Sequence, residues 1–313
     1  MERWISTLVL SITFVQVSQA QSTSEQHLTV ALEGTPVSQF WSHHTHMQMD
    51  IHYGDDPSQR LDIYTQGRYV GSPGWFKRSS GLQPTFVWIH GGGWRFGNKE
   101  TDAWFFTHFL ERGWNVVNVE YRRGLKTAPA AAEDILSVMK WIRNHAAEYH
   151  FDTDNIVVSG ASAGGHLALL AGLVNSKKGS HPNYVGDDIR IRAIINWYGV
   201  TDLQLIDEYL RQEMPNNNFV SNWLVDDEDL ETISDHYSPV NYITKHAPPV
   251  LTIQGDQDKF TPYSQAIYLH ELLDQAKVEN KLLTLYGGRH LDFTEDQFQL
   301  IFKTIFEFIN THK

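Results

Sequence analysis

Four short motifs in this chain carry residue types that can together run acyl transfer. Gly160-Ala161-Ser162-Ala163-Gly164-Gly165 follows an apolar run and opens a stretch of small residues. A serine in that setting sits on a sharp strand-to-helix turn, with glycines at 160 and 164 letting neighbouring backbone pass where a Cβ would clash. Its hydroxyl projects above a sheet, and the helix N-terminus behind it favours developing negative charge. His90-Gly91-Gly92-Gly93-Trp94 follows another apolar run. Three glycines after a strand let backbone amides converge, and the amides of Gly92, Gly93 and Ala163 are the expected donors to an oxyanion. A phosphate-binding glycine loop would be followed by Lys-Ser/Thr, which this one is not. His90 reads as a brace for the loop.

The other two motifs supply an acid and a base. In Gly255-Asp256-Gln257-Asp258, the deeper position of Asp258 suits a carboxylate that must reach across to a neighbouring loop, whereas Asp256 suits local backbone bonding. Gly287-Gly288-Arg289-His290 places a histidine on a loop near the end of the chain. There it can take the serine proton and return it to a leaving group. Sixteen histidines occur, so position rather than type singles out His290. Ser162, Asp258 and His290 also fall in the chain order that a nucleophile-elbow fold requires.

Elements must bring these motifs together, and the hydrophobic pattern supplies them. Continuous apolar runs at Thr85–Ile89, Asn115–Val119, Ile156–Ser159, Ile191–Trp197, Val250–Gln254 and Leu282–Tyr286 suit strands buried inside a parallel sheet. Gln48–Tyr53 and Arg60–Tyr64, joined by a Gly-Asp-Asp-Pro turn, suit an antiparallel hairpin at its edge. Helices are expected at Ala130–His145, with Ile135, Val138, Met139 and Ile142 on one face, and at Ala163–Leu173, Ser264–Gln275 and Glu295–Ile309. The sum is an α/β fold: a mostly parallel eight-stranded sheet with helices on both faces. The segment 67–83, rich in glycine, reads as a loop. Thr201–His246 fits neither period and reads as a small cap inserted into one catalytic domain spanning 21–313.

Composition narrows the function classes. Net charge is −12 and Lys and Arg form no stripe, so neither nucleic acid nor an anionic membrane surface is an expected partner. Cysteine is absent, which excludes disulfides, thiol catalysis and Cys-ligated metals. His43, His44 and His46 cluster without a carboxylate at ligand spacing, so no metal is expected there. The acidic run 226–229 reads as a solvated loop. Residues 1–20 have the layout of a cleaved export signal: Arg3, an apolar centre, and Ser18-Gln19-Ala20 before Gln21. A secreted or periplasmic location follows. Among the aromatic residues, Trp94 and Tyr198 are the candidates for a substrate wall, and a homodimer is left open.

These residues resemble the hormone-sensitive-lipase-like and bacterial feruloyl-esterase-like branch of the α/β-hydrolases. Tyr53-Gly54, Gln59-Arg60-Leu61-Asp62-Ile63-Tyr64, Glu120-Tyr121-Arg122 and Ser238-Pro239-Val240 extend the resemblance across roughly residues 45 to 312. Arg289 replaces the small residue often found before the histidine, and Arg123-Gly124 replaces the commoner Leu-Ala. The resemblance implies hydrolysis of short-chain or aryl carboxylic esters, such as acetyl or feruloyl esters, through an acyl-enzyme and without a cofactor. Its nucleophile, acid and base fall on Ser162, Asp258 and His290, and its oxyanion glycines on Gly92 and Gly93. Kynurenine formamidases share a related His-Gly-Gly-x-Trp pattern, so amide cleavage stays an alternative, as does a catalytically silent binding protein on the same scaffold.

Overall fold

In the computed structural model of the chain, the described residues are 45–66, 69–70, 77–78, 81–102, 104–176, 188–225 and 230–312. All belong to one unit, His43–Lys313. The expected export segment, His43, His44 and the acidic run 226–229 lie outside the described residues.

Eight strands form one sheet. In chain order they are β1 Thr45–His52, β2 Arg60–Gln66, β5 Gln83–Ile89, β6 Asn115–Val119, β7 Phe151–Ala161, β8 Ile191–Trp197, β9 Val250–Gly255 and β10 Asn280–Leu285. Their spatial order is β1-β2-β6-β5-β7-β8-β9-β10. The hairpin β1–β2 and the pair β2–β6 are antiparallel; every other pair is parallel. The segment 67–83 departs from the expected loop. Within it β3 Tyr69–Val70 pairs antiparallel with β4 Lys77–Arg78, and Gln83 already belongs to β5. Strand β7 also begins five residues before the expected Ile156, at Phe151. Its first half is polar, and it is held by Gln83 pairing with Phe151 and by Arg190 donating to the Thr153 carbonyl, not by an apolar pattern.

Alternation along the strands feeds two apolar layers. Val87, Ile89, Val117, Val119 and Val158 share a buried cluster with α2 Ala130–Tyr149 and α3 Ala163–Val174. The intervening side chains meet aromatic rings. Phe86 stacks on Phe109 and Trp88 on Phe105, both from α1 Trp104–Leu110, while Trp197 packs edge-on against Phe302 of α8 Glu295–Thr311. Helix α1 escapes the periodicity because its sequence, Trp-Phe-Phe-Thr-His-Phe-Leu, is apolar almost all round. Helix α3 lies tight on the sheet: a Cβ on Gly172 would run into Ile194, and one on Gly165 into Asn196.

The insertion 201–246 is more helical than its pattern suggests. It holds α4 Leu203–Glu213, α5 Phe219–Trp223 and α6 Leu230–Tyr237. Asp202 caps α4 by accepting from the amides of Gln204 and Leu205, and Leu203, Ile206 and Leu210 are the buried face. Helix α7 Tyr263–Gln275 follows β9.

Candidate active site

The parallel pairing of β5 with β7 sets Ile89 opposite Gly160. The loop after β5 therefore leaves the sheet beside the turn after β7. These two strand ends flank the point where the chain, having placed β6 on one side of β5, places β7 on the other, which is where open α/β sheets bind ligands. The fit is close. A Cβ on Gly160 would strike the Gly164 carbonyl, and one on Gly164 would strike the carbonyls of Ile89 and His90. Ser162 sits on this turn at φ 55° and ψ −118°, a conformation that costs a non-glycine residue strain and is held here by its surroundings. Its amide donates to the Trp197 carbonyl at 2.8 Å, and its own carbonyl accepts from His166 at 3.0 Å in the first turn of α3.

The glycine loop is wired from beneath. The His90 ring has the Gly91 carbonyl at 2.7 Å from one nitrogen and Glu120 at 3.2 Å from the other, and it stacks on Tyr121. Arg123 donates to Glu120 at 2.7 Å, and the Tyr121 hydroxyl donates to the His90 carbonyl at 3.0 Å. Gly92 at φ 125° and Gly93 at φ 59° adopt conformations that favour glycine. Among the described residues, the amides of Gly92, Gly93 and Ala163 donate no hydrogen bond. Gly92 and Gly93 line the cavity that Ser162 lines; Ala163 is buried directly behind it.

On the far side, β9 and β10 run parallel with Gly255 opposite Leu285, so the acid and histidine loops emerge together. They are laced by Gln257 donating to the Gly288 carbonyl at 2.9 Å and Gly287 donating to Asp256 at 2.7 Å. Asp258 is buried. Its Oδ1 accepts from the amides of Phe260 and Thr261 at 2.8 and 3.0 Å, and its Oδ2 from the Gln254 side chain at 3.1 Å. The same Oδ2 lies 2.7 Å from His290 Nδ1. His290 and Ser162 line one cavity of about 420 Å³. Among the described residues no hydrogen bond joins the serine hydroxyl to the imidazole, whose bonded partner is Asp258. Serine–base contacts of this kind often tighten only when substrate is bound.

Phe96, Phe105, Phe219, Phe260 and Leu291 supply the apolar walls; Phe96, Phe260 and Leu291 are exposed at the mouth. Asn217, Phe219 and Asn222 come from the insertion. Tyr198 lines the cavity and its ring meets His290 edge-on at 4.6 Å between centroids. Trp94 requires a correction. It is fully buried and does not line the cavity. Its indole N–H donates to His166 at 3.3 Å and its ring stacks on Trp223 at 4.5 Å, so it ties the glycine loop to α3 and to the insertion. A tryptophan after a glycine loop looks the same in sequence whether its ring turns outward or inward. Asp102 is a cavity residue that the sequence did not single out, because nothing in the pattern places the start of α1 there. Among the described residues no group of three His, Asp or Glu side chains is arranged to hold a metal.

Comparison with known proteins agrees with this architecture. The BD-FAE family matches residues 76–273, well over half of the sequence, and the chain belongs to that family. It is 30% identical over 226 residues to the "Probable carboxylic ester hydrolase LipM" of Mycobacterium tuberculosis, covering 71% of this chain and 51% of that protein. It is 28% identical over 187 residues to "Esterase LipQ" of the same organism, covering 58% of this chain and 44% of that one. The chain thus spans about half the length of the curated relatives it matches. A solved structure described as a truncated carbohydrate esterase from gut microbiota superposes with a TM-score of 0.67, at 22% identity, over 85% of this chain and 97% of that one. At that identity the likeness speaks for the α/β-hydrolase fold alone.

Proposed function

We propose that this chain is a carboxylic ester hydrolase working through an acyl-enzyme on Ser162. The observation that carries the reading is the 2.7 Å bond between Asp258 and His290, in a cavity that Ser162 shares with the unengaged amides of the glycine loop. The Ser162 hydroxyl attacks the ester carbonyl while His290 Nε2 takes its proton. The amides of Gly92, Gly93 and Ala163 receive the oxyanion, and losing one such donor costs about 3–4 kcal/mol of transition-state stabilisation. His290 then returns the proton to the leaving alcohol, and water releases the acid by the same steps in reverse. Asp258 fixes the tautomer that leaves Nε2 free to accept. The names of LipM and LipQ point to the same chemistry. A cavity of about 420 Å³ walled by Phe96, Phe105, Phe219 and Phe260 suits short-chain or aryl esters. Export through residues 1–20 belongs to the same reading.

The decisive experiment is labelling by a fluorophosphonate together with turnover of p-nitrophenyl acetate. The expected result is an adduct on Ser162 and loss of turnover by several orders of magnitude in Ser162→Ala. Wild-type rates in that variant, or no adduct, would overturn the assignment, the latter in favour of a silent binding protein.

A further inference from the structure

A second depression adjoins the catalytic cavity and takes no part in the steps above. It has a volume of about 530 Å³ and is lined by Gln257, Lys259, Phe260, Arg289, His290 and Asp292, sharing Phe260 and His290 with the cavity. Lys259 and Arg289 are both exposed there. Among the described residues, neither the Lys259 ammonium nor the Arg289 guanidinium forms a hydrogen bond or an ion pair. The nearby acids do not neutralise them. Asp258 is taken by His290 and two backbone amides, and Asp256 accepts from the Gly287 amide. Asp292, exposed on the same wall, pairs with neither cation. The chain carries 37 acidic against 25 basic residues, so two unpaired cations on a wall with one acid run against its overall charge. Nor does either cation hold its loop in place. The loops after β9 and β10 are laced by Gln257 donating to the Gly288 carbonyl and by Gly287 donating to Asp256. Arg289 is also where the chain departs from the resemblance, which has a small residue before the histidine.

We infer that Lys259 and Arg289 form a subsite for a carboxylate borne on the alcohol part of the substrate. This rests on the esterase reading of the site and specifies the alcohol that the site releases. The side follows from the chemistry. The carbonyl oxygen turns to the glycine loop, whereas the leaving oxygen must reach His290 to receive its proton, so the alcohol extends past the imidazole. The depression borders that imidazole. A guanidinium meets both oxygens of a carboxylate in one plane, and an ammonium adds a point charge beside it. Arg95, the cation on the wall of the catalytic cavity itself, follows the glycine loop, lies over the Phe96 ring at 4.6 Å and shares that wall with Asp102. It stands on the other side of the scissile bond.

Acetyl esters of straight-chain hydroxy acids test this, with the acetylated hydroxyl at one end and a carboxylate at the other. Chains of four, five and six carbons vary the reach, and each is set against its primary amide, which differs in charge alone. The expected result is a preference of about fivefold in kcat/KM for the carboxylate at one length or more, the size that solvent-exposed charge pairs give. Lys259→Gln and Arg289→Gln should each lower that ratio, and the double variant should bring it to about one. Arg289→Lys should retain most of it. The monoethyl ester of succinate against ethyl succinamate places the carboxylate on the acyl side instead, and should show no such preference. A ratio of one or less at every length, an unchanged ratio in the double variant, or a preference confined to the succinate pair would overturn the subsite alone. So would turnover of p-nitrophenyl acetate with none of the acetylated hydroxy acids. Absence of turnover on every ester, with no fluorophosphonate adduct at Ser162, would overturn the esterase reading and the subsite with it.

Discussion

Asp258 presents one carboxylate oxygen to His290 at 2.7 Å and gives the other to two backbone amides of its own loop. The acid is thus fixed by the backbone before it fixes the imidazole. Asp256, two residues earlier, instead accepts from the Gly287 amide at 2.7 Å and shapes the loop that carries the histidine. Replacing Asp258 by Asn should lower kcat on p-nitrophenyl acetate by about 10⁴-fold, because an amide there favours the wrong imidazole tautomer. Asp256→Asn should cost far less, since the amide oxygen of Asn still accepts from Gly287. Steady-state rates of the two variants make the comparison.

Gly160 and Gly164 are places where one methyl group has nowhere to go. Gly160→Ala or Gly164→Ala would drive a Cβ into carbonyl oxygens of the turn and of β5. Overpacking of this kind costs about 1–3 kcal/mol even where neighbours can move, and backbone moves least. Denaturant unfolding should show at least that loss. Turnover should fall further than the folded fraction, because the displaced strands carry Ser162 and the glycine loop.

His166 gives a pH dependence with a defined sign. Its Nδ1 accepts from Trp94 at 3.3 Å and its Nε2–H donates to the Tyr237 carbonyl at 2.8 Å, so the ring is buried neutral. Burial lowers its pKa from 6.5 to about 4, against a smaller pull from that carbonyl. Below 6.5 the unfolded chain binds a proton that the folded chain refuses until about 4. Stability therefore falls with pH across that window, by up to about 3 kcal/mol, and is unaffected by this group above it. His166→Gln should show a shallower fall than the wild type when unfolding free energy is measured at steps through the window.

Lys99 should be a structural weak point close to the site. It is buried, donates to Asp62 at 2.8 Å, and sits just beyond the glycine loop, its carbonyl accepting from Asn118 at 2.6 Å. Lys99→Met would leave Asp62 buried without its cation and should cost about 3–5 kcal/mol. Adding Asp62→Asn should recover part of that loss. Thermal unfolding of the single and double variants measures both.

Much of this architecture was legible in the sequence because it depends on local pattern. The parallel strands are continuous apolar runs, and the helix 163–174 is small and apolar because it must lie close on the sheet. The glycines at 160 and 164 mark a turn that other residues could not make. What local pattern could not reach was anything decided by neighbours distant in the chain. The first half of β7 is polar and is a strand because Gln83 and Arg190 reach it. Helix α1 is aromatic on nearly every face, so no period marks it.

The sequence by itself determined the chemistry on offer: a serine, an acid and a histidine, each just past an apolar strand, and a run of glycines with no side chains to obstruct an amide. Only the tertiary structure decided which aspartate bonds the histidine, that Trp94 turns inward to Trp223 and His166, and that Lys259 and Arg289 line one depression beside His290. The reason is physical. Strand ends and turns are written in nearest-neighbour sterics and hydrophobicity, whereas the direction of a side chain at a loop is set by parallel strand pairings, such as β9 with β10, between segments far apart along the chain.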